Sequence, residues 1–342
     1  MLKNVKSDYF LEELFKIIKN RRKLKIVKYD KGIKTRLNIN KDDFEVYTKL
    51  KEFNDKYGAN IEDIDVAQLD LSEGNLGNEG LKDLIDIKFT ELKVLYLCYN
   101  DISDIKVLEK MNYKKLLLLD LSDNDISDIN VLEKINFNEL KVLNLGLNKI
   151  SDLSVLAKVD FKKLEKLSLN DNKISDISIL EKVNLNEIKE LNLNDNAIAN
   201  INVFEKVDFK KLNKLYLSVN EIASINVFEK VDFKELKEID LYDNKISDIN
   251  VLEKVDFKGL TRLDLSNNKI SDINVLVKVD FKGLKILDLS LNRLTNIKIL
   301  DKVNFKELEE LDLNSNRINE KENQSLFENL KSKIKKIKDL KI

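Results

Sequence analysis

Cys98 is the only cysteine in this 342-residue chain, and the chain contains no histidine. A nucleophilic thiol generally needs a histidine base to make it reactive, so Cys98 reads as a buried or half-buried spectator. One cysteine cannot supply a typical structural zinc site, nor any disulfide within the chain. The recurrent "DND" and "NDN" stretches resemble calcium loops only in composition. They lack the loop glycine and terminal bidentate glutamate that such a loop requires. No catalytic residue, metal ligand or cofactor is therefore assigned, and the expectation is a chain that is not an enzyme. The chemistry that remains is that of surfaces.

Two kinds of surface residue stand out. Val94, Leu118 and Val142 occupy one outward-facing place in three successive segments, where later segments mostly carry charge, as Lys166, Glu190, Lys214, Glu238, Arg262 and Glu310. Tyr96, Tyr99 and Leu147 flank that trio, and Tyr216, Val219 and Tyr242 form a second, smaller cluster. Contiguous exposed aliphatic and tyrosine side chains mark an interface core. Elsewhere Asp240, Asp264, Asp288 and Asp312 fall at one repeated place. Aspartates about 4.8 Å apart on neighbouring strands repel one another, which a cationic partner would relieve. A soluble sheet face explains them equally well.

These residues are positioned by a repeat. Asparagine returns every 24 residues, at Asn100, Asn124, Asn148, Asn172, Asn196, Asn220, Asn244, Asn268, Asn292 and Asn316. Such a period marks a solenoid, in which each unit buries its apolar face by stacking on its neighbours. Within a unit, Leu167 and Leu169 alternate as one face of a short strand, preceded by Leu164 and replaced one unit later by Ile188, Leu191 and Leu193. Their side chains are expected inside. The asparagine falls where the chain leaves the strand, and its amide can donate to and accept from turn backbone in its own and the adjacent unit. Ser127 and Asp128, or Ser271 and Asp272, then read as helix N-caps ahead of one or two helical turns. Most units close on phenylalanine, as Phe137, Phe161, Phe209, Phe233, Phe257, Phe281 and Phe305, with Tyr113 and Leu185 as exceptions. A buried aromatic spine beneath the helical side is expected.

Three regions follow: residues 1–65, the array 66–318, and a cap over 319–342. The first reads as helical, with Phe10, Leu11, Leu14, Phe15, Ile17 and Ile18 on one helix, Leu24, Ile26, Val27 and Ile33 around a second, and "KDDFEVYTKLKEFNDKYG" as a third before Gly58. At the other end Leu326, Phe327, Leu330 and Ile334 have helical spacing, with Ile337, Leu340 and Ile342 beyond. Lysines there read as edge protection or a solvated face.

The frame "LxxLxLxxNxI" resembles the leucine-rich repeat superfamily over about three quarters of the chain. Its "NKISDIxxL" phrasing looks like the class found in internalins and in the regulatory subunit of type-1 protein phosphatase. The first unit, "LDLSEGNLGNEGLKDL", with Gly74 at the asparagine's place, resembles the ribonuclease-inhibitor class. The resemblance implies an α/β leucine-rich repeat solenoid, a curved parallel sheet with short convex helices, whose concave face binds proteins. Leucines followed by "KLKIVKYDK" also resemble, weakly, an F-box, which would imply a substrate receptor of a ubiquitin ligase; a phosphatase regulatory subunit is the other alternative.

With 60 Lys+Arg against 61 Asp+Glu, the chain has no global basic field for nucleic acid. No stretch is apolar enough to read as a secretory signal or membrane span. The expectation is a cytoplasmic scaffold for a protein partner, with no small-molecule substrate. The sequence does not name that partner.

Overall fold

A computed structural model describes Gly32, Thr35 and residues 41–111, 114–334 and 336–338. The chain divides into two compact units, Met1–Asn136 and Phe137–Ile342.

In the first unit, helix α1 (Lys41–Tyr57) is the third of the expected N-terminal helices, and it ends at Gly58 with a positive φ of 66°. That left-handed residue suits glycine, which closes helices without a Cβ clash. The two helices expected earlier lie outside the described residues, as do the F-box-like stretch and Tyr113. Leu50 and Phe53 of α1 are buried, and Lys56 and Tyr57 both reach Asp83 at 2.8 Å. Asp83 belongs to α2 (Gly77–Ile85), the helix that follows strand β1 (Gln68–Asp70). Strands β2 (Val94–Tyr96) and β3 (Leu118–Asp120) complete the unit's parallel sheet. Gln68 aligns with Val94 and Val94 with Leu118, so the segment beginning at Val66 is a full turn of the array.

The second unit contains strands β4 (Val142–Asn144), β5 (Lys166–Ser168), β6 (Glu190–Asn192), β7 (Lys214–Tyr216), β8 (Glu238–Asp240), β9 (Arg262–Asp264), β10 (Ile286–Asp288) and β11 (Glu310–Asp312). Each pairs in parallel with the next at equivalent positions. Central residues such as Leu143, Leu191 and Leu287 are fully buried, as period-two alternation requires. Helix α3 (Glu320–Lys333), capped by the Asn319 side chain, buries Leu330 and leads to β12 (Lys336–Lys338), which adds to β11. Leu340 and Ile342 lie outside the described residues.

The return segments differ from expectation. They are five-residue 3-10 turns, such as Asn130–Lys134 and Asn274–Lys278, and the N-cap place is held by an aliphatic residue, Ile129 or Ile273, with no side-chain cap. The reason is burial: Ile129 and Ile273 are core residues and cannot be exchanged for a polar cap. Asp128 and Asp272, one place earlier, still supply the acceptor, taking the amide hydrogens of Asn130 at 2.9 Å and Asn274 at 2.8 Å. An Asx turn thus replaces the expected helix cap.

The aromatic spine is discontinuous. Phe137 and Phe161 stack at 6.3 Å, whereas Phe209 and Phe233 meet Phe204 and Phe228 of their own segments edge-on at 5.2 and 5.3 Å. Phe204 and Phe228 replace a leucine of the 3-10 turn, so the ring turns toward its own segment. Phe305 is only half-buried.

Candidate functional site: the outward strand face and its exit turns

The asparagine ladder holds each strand exit in place. Asn196 donates through Nδ2 to the carbonyls of Leu169, Leu193 and Asn194 at 3.0, 3.2 and 2.9 Å, and its Oδ1 accepts the Ile174 amide at 3.0 Å. It therefore ties its own segment to the preceding one. At the start of the ladder, Asn100 donates to the Leu71 and Cys98 carbonyls and accepts from Leu76. This fixes the main chain on which the candidate site residues sit.

In the first unit Val94, Tyr96 and Leu118 are half-buried on the outward strand face, and Tyr99 at the exit turn is 56% exposed. Strand register puts Val94 beside Leu118 and Tyr96 beside Asp120. The Asp123 carboxylate beside the Tyr99 hydroxyl pushes that phenol above its ordinary value. Cys98 is half-buried, and its thiol donates to the Ser72 hydroxyl at 2.9 Å. In the second unit Val142 is half-buried and Leu147 exposed.

The second cluster is partly self-occupied. The Tyr216 hydroxyl donates to Glu238 at 3.2 Å, and the Lys214 ammonium lies 6.0 Å from the Tyr216 ring centre. Burial, first, pushes the Tyr216 phenol upward. Val219 is half-buried and Tyr242 exposed. The charges of the neighbouring strands pair with one another, Lys166 with Glu190 at 3.0 Å and Arg262 with Glu238 at 3.7 Å.

The acidic row is less open than the alternation implies. Asp264 and Asp312 are buried, while Asp240 and Asp288 are half-buried. Each turns one carboxylate oxygen onto the amide two residues ahead: Tyr242, Ser266, Ser290 and Asn314 donate at 2.9 to 3.0 Å. Asp264 also meets Arg262 at 3.2 Å. The aspartate at this place is thus a turn residue as well as a surface charge. Desolvation raises the pKa of Asp240 and Asp288, and the neighbouring carboxylates Asp264 and Asp312 add to the rise at Asp288.

Strain at the strand exits is not legible from the repeat pattern alone. The residue before each ladder asparagine has a φ near +50°, at Tyr99, Asp123, Leu147, Asp171, Asp195, Val219, Asp243, Asn267, Leu291 and Ser315. Asp and Asn tolerate the left-handed region, whereas a β-branched valine there is an outlier. Leu291, 46% exposed, joins Leu147 and Val219 at this place and is absent from the expected site residues. Comparing the residue before every ladder asparagine would have found it.

This architecture, short parallel strands stacked through an asparagine ladder with 3-10 returns, defines a repeat solenoid. Models of the leucine-rich repeat match residues 114–129, 234–278 and 258–318. The chain carries leucine-rich repeats and folds as a leucine-rich repeat solenoid. It is similar to an internalin of Listeria monocytogenes, with 25% identity over 79% of this chain and 82% of that one and a TM-score of 0.57. A leucine-rich repeat protein of Leptospira interrogans is likewise 25% identical over 75% of this chain and 68% of that one, with a TM-score of 0.59. A plant peptide hormone receptor, solved in a complex, shares the fold at 22% identity over 69% of this chain and 38% of its own, TM-score 0.53. No curated protein sequence matches the chain. Among the described residues, no helix is long and apolar enough to cross a membrane.

Proposed function

We propose that this protein is a non-enzymatic scaffold that binds a protein partner on the outward strand face of its repeats, with residues 66–318 as the array between an N-terminal region and a C-terminal cap. The observation that carries this reading is the placement of bulky apolar side chains where folding gains nothing from them. Tyr99 and Leu147 stand exposed in left-handed turns, beside half-buried Val94, Tyr96 and Leu118 or Val142. Elsewhere the same turn place mostly takes Asp, Asn or Ser, which suit it better. Residues that cost stability and expose apolar surface are what a binding site retains. Tyr216, Val219 and Tyr242 form a secondary contact, and the half-buried aspartates bias the face toward a cationic partner. A chain with one cysteine suits a reducing compartment such as the cytoplasm.

The test is affinity capture from native lysate with wild type and with the Tyr96→Ala, Leu118→Asp double variant. Specific partners are expected to be lost from the variant while its thermal unfolding stays cooperative. Undiminished capture refutes this placement of the site.

A further inference from the structure

The strands and exit turns of residues 68–73, 94–99 and 118–123 hold four acidic residues, Asp70, Glu73, Asp120 and Asp123, and no lysine or arginine. Among the described residues Asp70, Glu73 and Asp123 take part in no ion pair. Lys93 before β2 and Lys115 before β3 lie at the strand entries, and Lys115 is held there by Glu91 at 2.7 Å. In the second unit the corresponding strands carry Lys166, Lys214 and Arg262, each matched by a glutamate of a neighbouring strand. The exit side of β1 to β3 is therefore a negative surface, and a cationic ligand offsets its self-repulsion.

Tyr99 stands between two of these acids. Glu73, Tyr99 and Asp123 occupy the same place in three successive exits, left-handed at φ 59°, 55° and 51°. The main chain ties them together: the Glu73 amide donates to the Cys98 carbonyl at 3.0 Å, and the Tyr99 amide to the Asp123 carbonyl at 2.9 Å. Glu73 and Tyr99 are exposed and Asp123 is half-buried. Both carboxylates raise the Tyr99 phenol, Asp123 first. On the same strands the half-buried Val94, Tyr96 and Leu118 supply apolar surface beside the turn. A ring with a carboxylate on either side suits a planar cation, because ring face and carboxylates attract it together. Guanidinium fits this better than ammonium, being flat and more weakly hydrated.

We infer, resting on the reading of this face as a partner site, that its exit side binds an arginine of the partner, the guanidinium over the Tyr99 ring between the Glu73 and Asp123 carboxylates. The partner segment is then a basic peptide in which arginine stands near a large apolar residue that covers Val94, Tyr96 and Leu118.

The full-chain protein is immobilised and used to select from a phage-displayed library of random peptides, and the selected peptides are synthesised with a fluorescent label and titrated by anisotropy. Peptides that pair arginine with leucine, phenylalanine or tryptophan are expected. Glu73→Gln together with Asp123→Asn is expected to raise their Kd about tenfold, and added salt to weaken wild-type binding more than binding to that carboxamide variant. Tyr99→Leu is expected to weaken binding several-fold without loss of fold, since Leu147 and Leu291 hold the equivalent place at φ 54°. A selection that yields no peptide, peptides without arginine, or a Kd unchanged in the carboxamide variant or in Tyr99→Leu overturns the inference. Peptides lost with Tyr96→Ala, Leu118→Asp but indifferent to the carboxamide variant overturn it too, while leaving the face as a partner site. Peptides that need Glu73 and Asp123 yet bind the Tyr96→Ala, Leu118→Asp variant as they bind wild type support the arginine site and remove the proposed apolar centre. A dimer of the full chain, seen by sedimentation, that dissociates in the carboxamide variant assigns the site to a second copy and overturns the inference.

Discussion

The amide of Asn196 makes four hydrogen bonds across two segments, donating through its nitrogen and accepting through its oxygen. Asn196→Ala is expected to lower stability by about 1 to 3 kcal/mol, read from urea unfolding, because it strands turn carbonyls and an amide. Binding through distant strand faces should persist. The residue just before each ladder asparagine behaves oppositely. Val219 sits at a φ of 52°, where a β-branched side chain is strained by about 1 to 3 kcal/mol. Val219→Asn, which matches Asn267 at the equivalent place, is therefore expected to raise the unfolding midpoint. If Val219 belongs to a contact, the same change weakens capture, a trade of stability against function. A fall in the midpoint would show that Val219 packs more than its turn costs.

At the scale of strands, alignment turns one residue choice into a row. Asp288 lies between Asp264 and Asp312 on paired strands, and burial and these neighbours raise its pKa. A raised carboxylate pKa means that the folded state takes up its proton more readily than the unfolded state. The strain on charged Asp288 is thus relieved in acid and appears as pH rises from the ordinary carboxylate range through its raised value. Asp288→Asn keeps an acceptor for the Ser290 amide and removes the charge. Its stability gain over wild type should be largest at pH 7 and shrink as pH falls below the raised pKa, measured by urea unfolding across that range. Glu165 has the opposite sign. Lys189, first, and Lys141 hold it down at about 2, so its contribution is present above the ordinary glutamate range and lost as pH falls toward that value.

For the whole molecule, stability in a solenoid is close to a sum of unit and nearest-neighbour terms. Damage at an end should therefore stay local. Leu330 of α3 is 2% exposed, and α3 is also tied to the last return turn through Asn329 and Asp301. Leu330→Asp buries a charge at this end. Hydrogen exchange is expected to accelerate in β11 and β12 while β5 and β6 keep their protection. Uniform acceleration through all the strands of the second unit would instead mean that it unfolds as one cooperative block.

The fold was legible because the repeat imposes one local solution many times. Leucine alternation and the asparagine period specify strand, register and exit turn without reference to distant residues, and the register observed within each unit follows them. The candidate face was legible only in part. Val94, Leu118 and the tyrosines could be placed outward by period two alone, but the degree of exposure could not. Asp264 and Asp312 looked like surface charges by the same rule and are buried, and all four aspartates of the row bend a carboxylate oxygen back onto the next turn. The left-handed exits were invisible for a related reason: backbone sign is set by how the ladder asparagine draws successive segments together, although Leu291 shares the place of Leu147 and Val219 before a ladder asparagine and was within reach of that comparison. Sequence by itself determined the repeat, its inward residues and its ladder, all governed by short-range periodicity. Tertiary structure decided which outward residues remain available, since that depends on hydrogen bonds and packing between segments that a single repeat does not contain.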